Sequence, residues 1–246
     1  MFKFIKNIST KNASRVDLVS IYGINHVTKT YDANYESTQK EIHILSLCKH
    51  PNIIKYSDSL NPDSEHIMLV FPVETRSLTD LICNYMFDKW DIIRQLMEGL
   101  CYLHYHGVLH LDFKSDNIMY TGGQIKIIDM GSSEIITPGE ETVKVSLPKC
   151  TLTHRPPEGY YHGVPYMVGK HFDMWSLGII VYEILTEKPM HLCEIFPPYN
   201  PSVPDTVFEE AIRSDSFRNT IRKVLPVELK DCVCLAPTDR PLLNHF

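Results

Sequence analysis

The stretch His110-Leu111-Asp112-Phe113-Lys114-Ser115-Asp116-Asn117, followed shortly by Asp129-Met130-Gly131, decides how this sequence is interpreted. Its side chains supply a candidate base, a phosphate-binding cation and two candidate metal ligands on adjoining loops. Phosphoryl transfer from a metal-bound nucleotide requires this set of groups. The sequence therefore predicts that chemistry at this point of the chain.

The same two segments carry a family resemblance. The first matches the protein-kinase pattern H-R-D-L-x-x-x-N and the second matches D-F-G, with departures at Leu111, Phe113 and Met130. The chain resembles a eukaryotic-type serine/threonine protein kinase. The resemblance implies a bilobal α+β fold, with a small antiparallel β lobe carrying one helix and a larger, mainly helical lobe. It also implies that ATP binds between the two lobes.

The nucleotide-binding parts of the family have counterparts upstream. Lys29 lies in an alternating, strand-like run and resembles the lysine that pairs with the nucleotide phosphates. The resemblance implies that Glu41, on the helix predicted next, pairs with Lys29. An apolar strand then leads into a connecting hinge. There Phe71 is the expected gatekeeper behind the adenine, and the backbone of Pro72 and Glu74 is expected to bind the adenine edge.

Local patterns agree with this arrangement. Ile42, Leu45 and Cys48 recur with helical spacing, so the helix that carries Glu41 is predicted to pack through one apolar stripe. A second helical period runs through residues 92–103 and leads into the catalytic loop. The apolar run 175–185 is shorter than the roughly 20 residues that cross a bilayer, and it suits a helix buried in the second lobe.

Further motifs follow towards the C-terminus in the family's order. Arg155-Pro156-Pro157-Glu158 resembles A-P-E, and Asp173-Met174-Trp175-Ser176-Leu177-Gly178 resembles the start of the large central helix. By resemblance, Arg240 forms a buried ion pair with Glu158. The likeness runs from about residue 8 to residue 246. We therefore predict a single kinase domain over 1–246, with lobes at 1–73 and 77–246 joined by a hinge at 74–76.

Composition narrows the function further. The chain has 246 residues, of which 43% are hydrophobic and 22% charged, as expected for a globular enzyme. Its net charge of −6 gives no broad basic footprint, so nucleic acid is not an expected partner. Seven cysteines without paired C-x-x-C spacing favour reduced thiols. We expect an intracellular protein, cytoplasmic or nuclear, with neither a secretory signal nor a membrane span.

The resemblance gives four polar residues of the two loops a role. Asp112 is expected to accept the proton of the substrate hydroxyl, and Lys114 to neutralise charge on the transferred group. Asn117 and Asp129 offer the hard oxygen ligands that magnesium prefers. ATP and Mg²⁺ are therefore the expected cofactors.

The chief departure from the family lies at Ser9-Thr10-Lys11-Asn12-Ala13-Ser14-Arg15-Val16, which aligns with the loop G-x-G-x-x-G-x-V. None of the three glycines is present, which predicts a weaker backbone cradle over the phosphates or a different loop shape. Ser9, Lys11 and Val16 remain the expected nucleotide-side residues of this segment. The charge of Lys11 could compensate in part, or Lys11 could be an ordinary solvated residue.

Leu111 is the second departure, because the family's arginine at this place usually binds a phosphate on the activation segment. A leucine cannot do so, and we therefore predict activity that is independent of phosphorylation in that segment. The segment's hydroxyl groups are candidate phosphorylation sites or simply solvated groups, at Ser132, Ser133, Thr137, Thr142, Ser146, Thr151 and Thr153.

Two function classes follow. Lys114 and Thr151 resemble residues of serine/threonine kinases, so the first hypothesis is an enzyme that phosphorylates protein hydroxyl groups. The missing glycines and Leu111 favour a pseudokinase, in which a kinase-shaped module binds a regulatory protein instead of turning over ATP. By analogy, compact kinases with a degenerate glycine loop also occur among virus-encoded and bacterial-effector kinases, and a virus-encoded kinase would act in the host cell.

Overall fold

The computed structural model describes residues 1–11, 14–32, 36–61, 63, 65–146, 150–160, 166–198 and 202–243, without the side chains of Lys11 and Ser37. The first lobe consists of β1 (Phe2–Lys11), β2 (Ser14–Ile21), β3 (Ile24–Asp32), α1 (Glu36–Leu47), β4 (Asp58–Leu60) and β5 (His66–Pro72). Its strands form one antiparallel sheet in the order β1-β2-β3-β5-β4.

The sheet register determines which side chains share a face. Val16 pairs with Lys29, and Lys29 pairs with Leu69 on the next strand. Directly opposite residues of neighbouring antiparallel strands point to the same side of a sheet. The three side chains therefore lie on one face, with Lys29 near the middle of the sheet.

Helix α1 packs through the predicted stripe. Leu45 and Cys48 are buried, Ile42 is partly buried against the same core, and Ile44 adds a fully buried side chain. Glu41 lies beside this stripe and is itself only 4% exposed. The helix thus presents one buried carboxylate to the sheet.

The segment aligned with the glycine loop was expected to be a loop, and most of it is strand. β1 continues to Lys11 and β2 begins at Ser14, with Ser9 paired to Val16. The side chain of Asn7 stabilises this hairpin by donating to the carbonyl oxygens of Ser9 and Val16 and to Asp17 Oδ1. Thr10 and Val16 are β-branched residues that favour strand, and the segments on either side of residues 12 and 13 pair as strands without glycine.

The second lobe is mainly helical. Its regular elements are β6 (Arg76–Ser77), α2 (Leu78–Asn84), α3 (Lys89–Tyr105), β7 (Val108–Leu109), β8 (Ile118–Thr121), β9 (Gln124–Ile127), β10 (Glu134–Ile135), β11 (Thr142–Val145), β12 (Tyr166–Gly169), α4 (Lys170–Thr186), α5 (Asp205–Arg213) and α6 (Asp215–Val224). Short 3₁₀ helices lie at Ser115–Asn117, Met130–Ser132, Leu152–His154, Pro157–Tyr160, Met190–Leu192, Val227–Val233 and Pro237–Asp239.

Helix α4 is the centre of this lobe. Its residues from Phe172 to Ile184 are all buried, as its all-round apolar sequence predicts. Trp175 stacks on Phe217 of α6 with ring centroids 6.4 Å apart. Helix α3 is amphipathic and begins at an N-cap, Asp88, whose carboxylate accepts from the backbone of Trp90 and Asp91.

The connection after α1 is bound to the second lobe. Ile54 N donates to Ile127 O at 2.9 Å, and Ile127 N donates to Asn52 O at 2.8 Å. Asn52 also donates its side-chain amide to Gln95 on α3 at 2.8 Å. These bonds hold the base of the first lobe against β9, close to Asp129. The predicted bilobal α+β fold is confirmed.

None of the helices in the described part of the chain is long and apolar enough to cross a membrane.

Candidate active site

Lys29 and Glu41 form an ion pair that also includes Asp129. Lys29 Nζ lies 2.8 Å from Glu41 Oε1 and 2.8 Å from Asp129 Oδ1. Burial alone would lower the pKa of Lys29, but the two carboxylates outweigh it and raise that pKa. The lysine therefore stays charged and connects β3, α1 and the segment after β9.

The turn after β9 directs Asp129 towards this lysine. Asp129 has a left-handed backbone with φ of 62°, and a 3₁₀ turn follows over Met130–Ser132. A Cβ atom on Gly131 would lie 3.3 Å from both Asp129 Oδ1 and Glu41 Oε2. A Cβ atom at that distance would be tight against both carboxylates, so glycine is the residue that leaves Asp129 and Glu41 undisturbed.

Asp112 is held by donors on both carboxylate oxygens. Its Oδ1 accepts from the backbone N–H of Thr151 at 2.9 Å and from the Thr151 hydroxyl at 2.8 Å. Its Oδ2 lies 2.9 Å from Lys114 Nζ and 3.1 Å from the Asn117 amide nitrogen. These contacts fix the orientation of the carboxylate before any substrate binds.

Lys114 and Asn117 complete the catalytic loop. Lys114 Nζ also donates to the Thr151 hydroxyl at 2.5 Å, so Asp112, Lys114 and Thr151 contact one another. The 3₁₀ turn at Ser115–Asn117 buries Asn117 to 7% exposure, and its amide also donates to the Asp112 backbone oxygen at 2.9 Å. Ile128 N donates to Asn117 O, which joins this loop to the residue before Asp129.

A buried aspartate on α4 supports the catalytic loop from below. Asp173 accepts from the backbone N–H groups of His110 and Leu111 at 2.8 Å each, and from His104 Nε2 at 3.0 Å. Burial would raise the pKa of Asp173, but these partners outweigh it and lower that pKa. Leu111 has a φ of 62°, a conformation that a leucine rarely adopts. The bonds to Asp173 hold it there.

The residues expected to contact the adenine ring lie at and just after the end of β5. Phe71 is buried at 9% exposure and pairs in register with Val27, whereas Pro72 is exposed and Glu74 is partly exposed. The backbone of Lys11 pairs with Ser14, but its side chain lies outside the described residues. The compensating role predicted for that side chain therefore stays a prediction.

One sequence-based expectation about the activation segment is wrong. Ser133 was grouped with solvated hydroxyls, but it is fully buried and its Oγ donates to the backbone oxygen of His110 at 3.3 Å. The segment turns inward immediately after Met130, so Ser133 packs beneath the catalytic loop. It is not an accessible phosphorylation site in this conformation.

Two residues that support the site, His104 and Lys40, were missed. His104 was given no role, yet it is buried against Asp173. Lys40 was not considered, although its Nζ lies 2.7 Å from Glu134 Oε1. His104 could have been found from its helical position shortly before His110. Lys40 and Glu134 are ordinary charged residues that lie far apart in the sequence, so no local pattern indicates their contact.

The described residues do not gather three or more histidine, cysteine, aspartate or glutamate side chains into a metal-binding group. The two residues expected to bind magnesium, Asn117 and Asp129, lie on adjoining loops that are joined by the bond from Ile128 N to Asn117 O. Magnesium usually takes one or two protein oxygens together with nucleotide phosphates and water.

Comparisons with known proteins agree with the geometry. The serine/threonine-protein kinase max-2 of Caenorhabditis elegans is 27% identical over 200 residues, which cover 78% of this chain and 28% of that protein. The serine/threonine-protein kinase STE20 of Saccharomyces cerevisiae is 29% identical over 209 residues, which cover 81% of this chain and 21% of that protein. The chain thus spans about a quarter of the length of these relatives. The family model of the protein kinase domain matches residues 7–241, and the chain therefore belongs to the protein kinase family.

Proposed function

We propose that this chain is an active serine/threonine protein kinase, which transfers the γ-phosphate of ATP to hydroxyl groups of proteins. The observation that carries the proposal is the mutual contact of Asp112, Lys114 and Thr151. It brings a base, a cation and a hydroxyl into one small volume, close to the chain segment that carries Asp129.

In the proposed reaction the substrate hydroxyl oxygen attacks the γ-phosphorus, and the bond from that phosphorus to the bridging oxygen of ADP breaks. Asp112 accepts the proton of the hydroxyl. Lys114 lies 2.9 Å from that carboxylate and neutralises negative charge on the phosphoryl group as it moves. The hydrogen bonds from Thr151 and Asn117 keep the base oriented for this step.

Asn117 and Asp129 are the proposed magnesium ligands. The amide nitrogen of Asn117 donates to Asp112, so its amide oxygen is the atom that serves a cation. Magnesium bound here would neutralise charge on the nucleotide phosphates. Lys29, held by Glu41, would bind the same phosphates from the first lobe.

The rest of the proposed ATP site follows from the sheet. Val16 shares a face with Lys29, and Ser9 pairs with Val16, so the β1–β2 hairpin would cover the nucleotide. Phe71 would close the back of the adenine site, with the backbone of Pro72 and Glu74 at its edge. Lys11 at the end of β1 would add positive charge near the phosphates.

We propose serine and threonine as acceptors because Lys114 contacts both Asp112 and Thr151, the pairing that the resemblance to this kinase class implies. The proposed domain spans residues 1–246, with a first lobe at 1–73, a hinge at 74–76 and a second lobe at 77–246. The cysteine pattern supports action inside a cell, in the cytoplasm or nucleus.

The test is transfer of labelled γ-phosphate from ATP and magnesium to a mixed protein substrate, with Asp112→Asn and Asp129→Asn as matched variants. Asn is nearly the same size as Asp, so both variants remove the charge with little change of shape. We expect transfer to serine and threonine by the wild type and a loss of roughly 100-fold or more in each variant.

A wild-type signal no larger than that of the variants would refute the proposed activity. Retained binding of a fluorescent ATP analogue would then indicate a pseudokinase. Phosphotyrosine in acid hydrolysates of the product would contradict the substrate class while leaving the activity standing.

A further inference from the structure

A second ion pair on α1 lies beside the one that includes Glu41. Lys40 Nζ lies 2.7 Å from Glu134 Oε1, and the two side chains are 26% and 18% exposed. Lys40 precedes Glu41 in the chain, and Glu134 lies on β10, shortly after Asp129. The contact therefore connects α1 with the activation segment.

The backbone of Glu134 is fixed next to the catalytic loop. β10 pairs with β7, which places Glu134 opposite Leu109 and Ile135 opposite Val108. Ile136 N adds a bond to Gly107 O at 2.8 Å. The carboxylate of Glu134 thus projects from a strand that is bound to the residues immediately before His110.

Neighbouring residues on a helix point about 100° apart around its axis. Glu41 connects α1 to Lys29 on β3, and Lys40 connects it to Glu134 on β10. Two ion pairs in different directions, added to the apolar packing of the helix, restrain its rotation more than either ion pair alone. The Lys40 contact therefore keeps Glu41 within reach of Lys29.

Leu111 occupies the position where the family's arginine binds a phosphate on the activation segment, so another contact has to hold α1 in place. Leu111 is 4% exposed and packs in an apolar cluster with Leu109, Ile136, Val145, Cys150, Tyr166, Val168 and Phe172. This cluster packs Ile136, Val145 and Cys150 of the activation segment against Leu111 without a charged group at that position. A phosphate on the segment would find no cation at that position.

We propose that the Lys40–Glu134 ion pair is a positioning contact that holds α1 inward without any phosphate on the activation segment. The inference rests on the proposed kinase function and adds to it the means by which the active arrangement is kept. Glu134 supplies, from the chain itself, a negative charge for the cation on α1. The residues position the site and do not touch the reacting atoms.

The test is a double-mutant cycle in the full chain, made of Lys40→Met, Glu134→Gln and both together. Each single variant should lower kcat about fivefold, the size expected for one partly buried ion pair. The double variant should be no slower than the single variants, because each change already removes the whole contact. Lys40→Arg keeps the charge and should stay within about twofold of the wild type.

Lys55→Met is the matched control, since Lys55 is an exposed lysine elsewhere in the same lobe. It should leave kcat unchanged. Additive losses in the double variant, or single variants with the kcat of Lys55→Met, would overturn the proposal.

Hydrogen exchange gives a readout that does not need turnover. Amides of residues 38–47 should exchange about fivefold faster in Lys40→Met and in Glu134→Gln than in the wild type, because α1 opens more often. Equal exchange in all variants would overturn the proposal. If the wild type transferred no phosphate but exchange still changed, the proposed activity would fail and the positioning contact would stand.

Discussion

Replacing Glu158 with alanine should destabilise the helical lobe, because it removes the carboxylate paired with a fully buried guanidinium. Arg240 has a side chain with 0% exposure, and its NH1 and NH2 groups donate to the two Glu158 oxygens at 2.6 and 2.7 Å. The guanidinium carbon also lies 5.2 Å from the ring centroid of Trp175. The charge cannot move to solvent without disrupting this packing.

Loss of one partner of a buried ion pair costs roughly 3–5 kcal/mol. Glu158 is 24% exposed, so water can approach its side of the pair, and backbone oxygens of His171, Cys234 and Leu235 still accept from Arg240. The lower end, about 3 kcal/mol, is therefore the appropriate figure. For a chain of this length, it corresponds to a fall of about 6–12 °C in the melting temperature.

Differential scanning calorimetry at neutral pH would measure the shift. Arg94→Ala is the control, because Arg94 pairs with Asp91 and Glu98 while its side chain is 57% exposed. It should shift the melting temperature much less. The double variant Glu158→Leu/Arg240→Met should be more stable than Glu158→Leu alone, since no buried charge is left. A shift for Glu158→Ala no larger than that for Arg94→Ala would refute the reasoning.

Four further outcomes are expected. Thr151→Val should lower kcat about tenfold with little change in KM for ATP, because it removes the hydroxyl that donates to Asp112. Thr151→Ser keeps the hydroxyl and should retain activity, and steady-state assays with labelled ATP would measure both variants. Asn7→Ala should raise KM for ATP severalfold with a smaller change in kcat, since it loosens the β1–β2 hairpin at Asp17, and an unchanged KM would contradict it. The lowered pKa of Asp173 means that its folded form binds fewer protons than its unfolded form. Its contribution to stability is therefore present above about pH 4 and lost as pH falls through its folded pKa, so calorimetry at about pH 5 and pH 3 should show a smaller acid loss for Asp173→Asn than for the wild type. Phosphatase treatment should leave activity within about twofold of the untreated protein. Loss of all activity after treatment would show that phosphate is needed to order the activation segment.

The catalytic loop was predicted because its residues stand at the fixed spacing of the family motif. Asp112, Lys114 and Asn117 lie on one short loop, and Asp129 follows on the next. The contact of Lys29 with Glu41 was predicted from the resemblance to the kinase family, and Lys29 Nζ lies 2.8 Å from Glu41 Oε1. Motif spacing works here because the chemistry constrains neighbouring residues together.

The contacts that hold the site could not be predicted in the same way. Lys40 and Glu134 are common charged residues, far apart in the sequence, and nothing local distinguishes them from solvated surface charges. Ser133 carries a polar side chain in a polar segment, so its burial depends on the tertiary path after Met130. The strands that contain Ser9 and Val16 were not predicted, because this segment aligns with the family's glycine loop and its local β propensity was given less weight.

The segment that lacks the three glycines and the groups that carry the chemistry lie in different parts of the molecule. The hairpin belongs to the first sheet and is stabilised by Asn7, whereas Asp112 is oriented by Thr151 and the loop before it is held by Asp173 on α4. No described hydrogen bond joins that hairpin to the catalytic loop. A stiffer, glycine-free cover should therefore change how tightly the nucleotide binds while leaving the base and its donors in place. Weak nucleotide affinity with a preserved kcat is the kinetic pattern that follows from this separation.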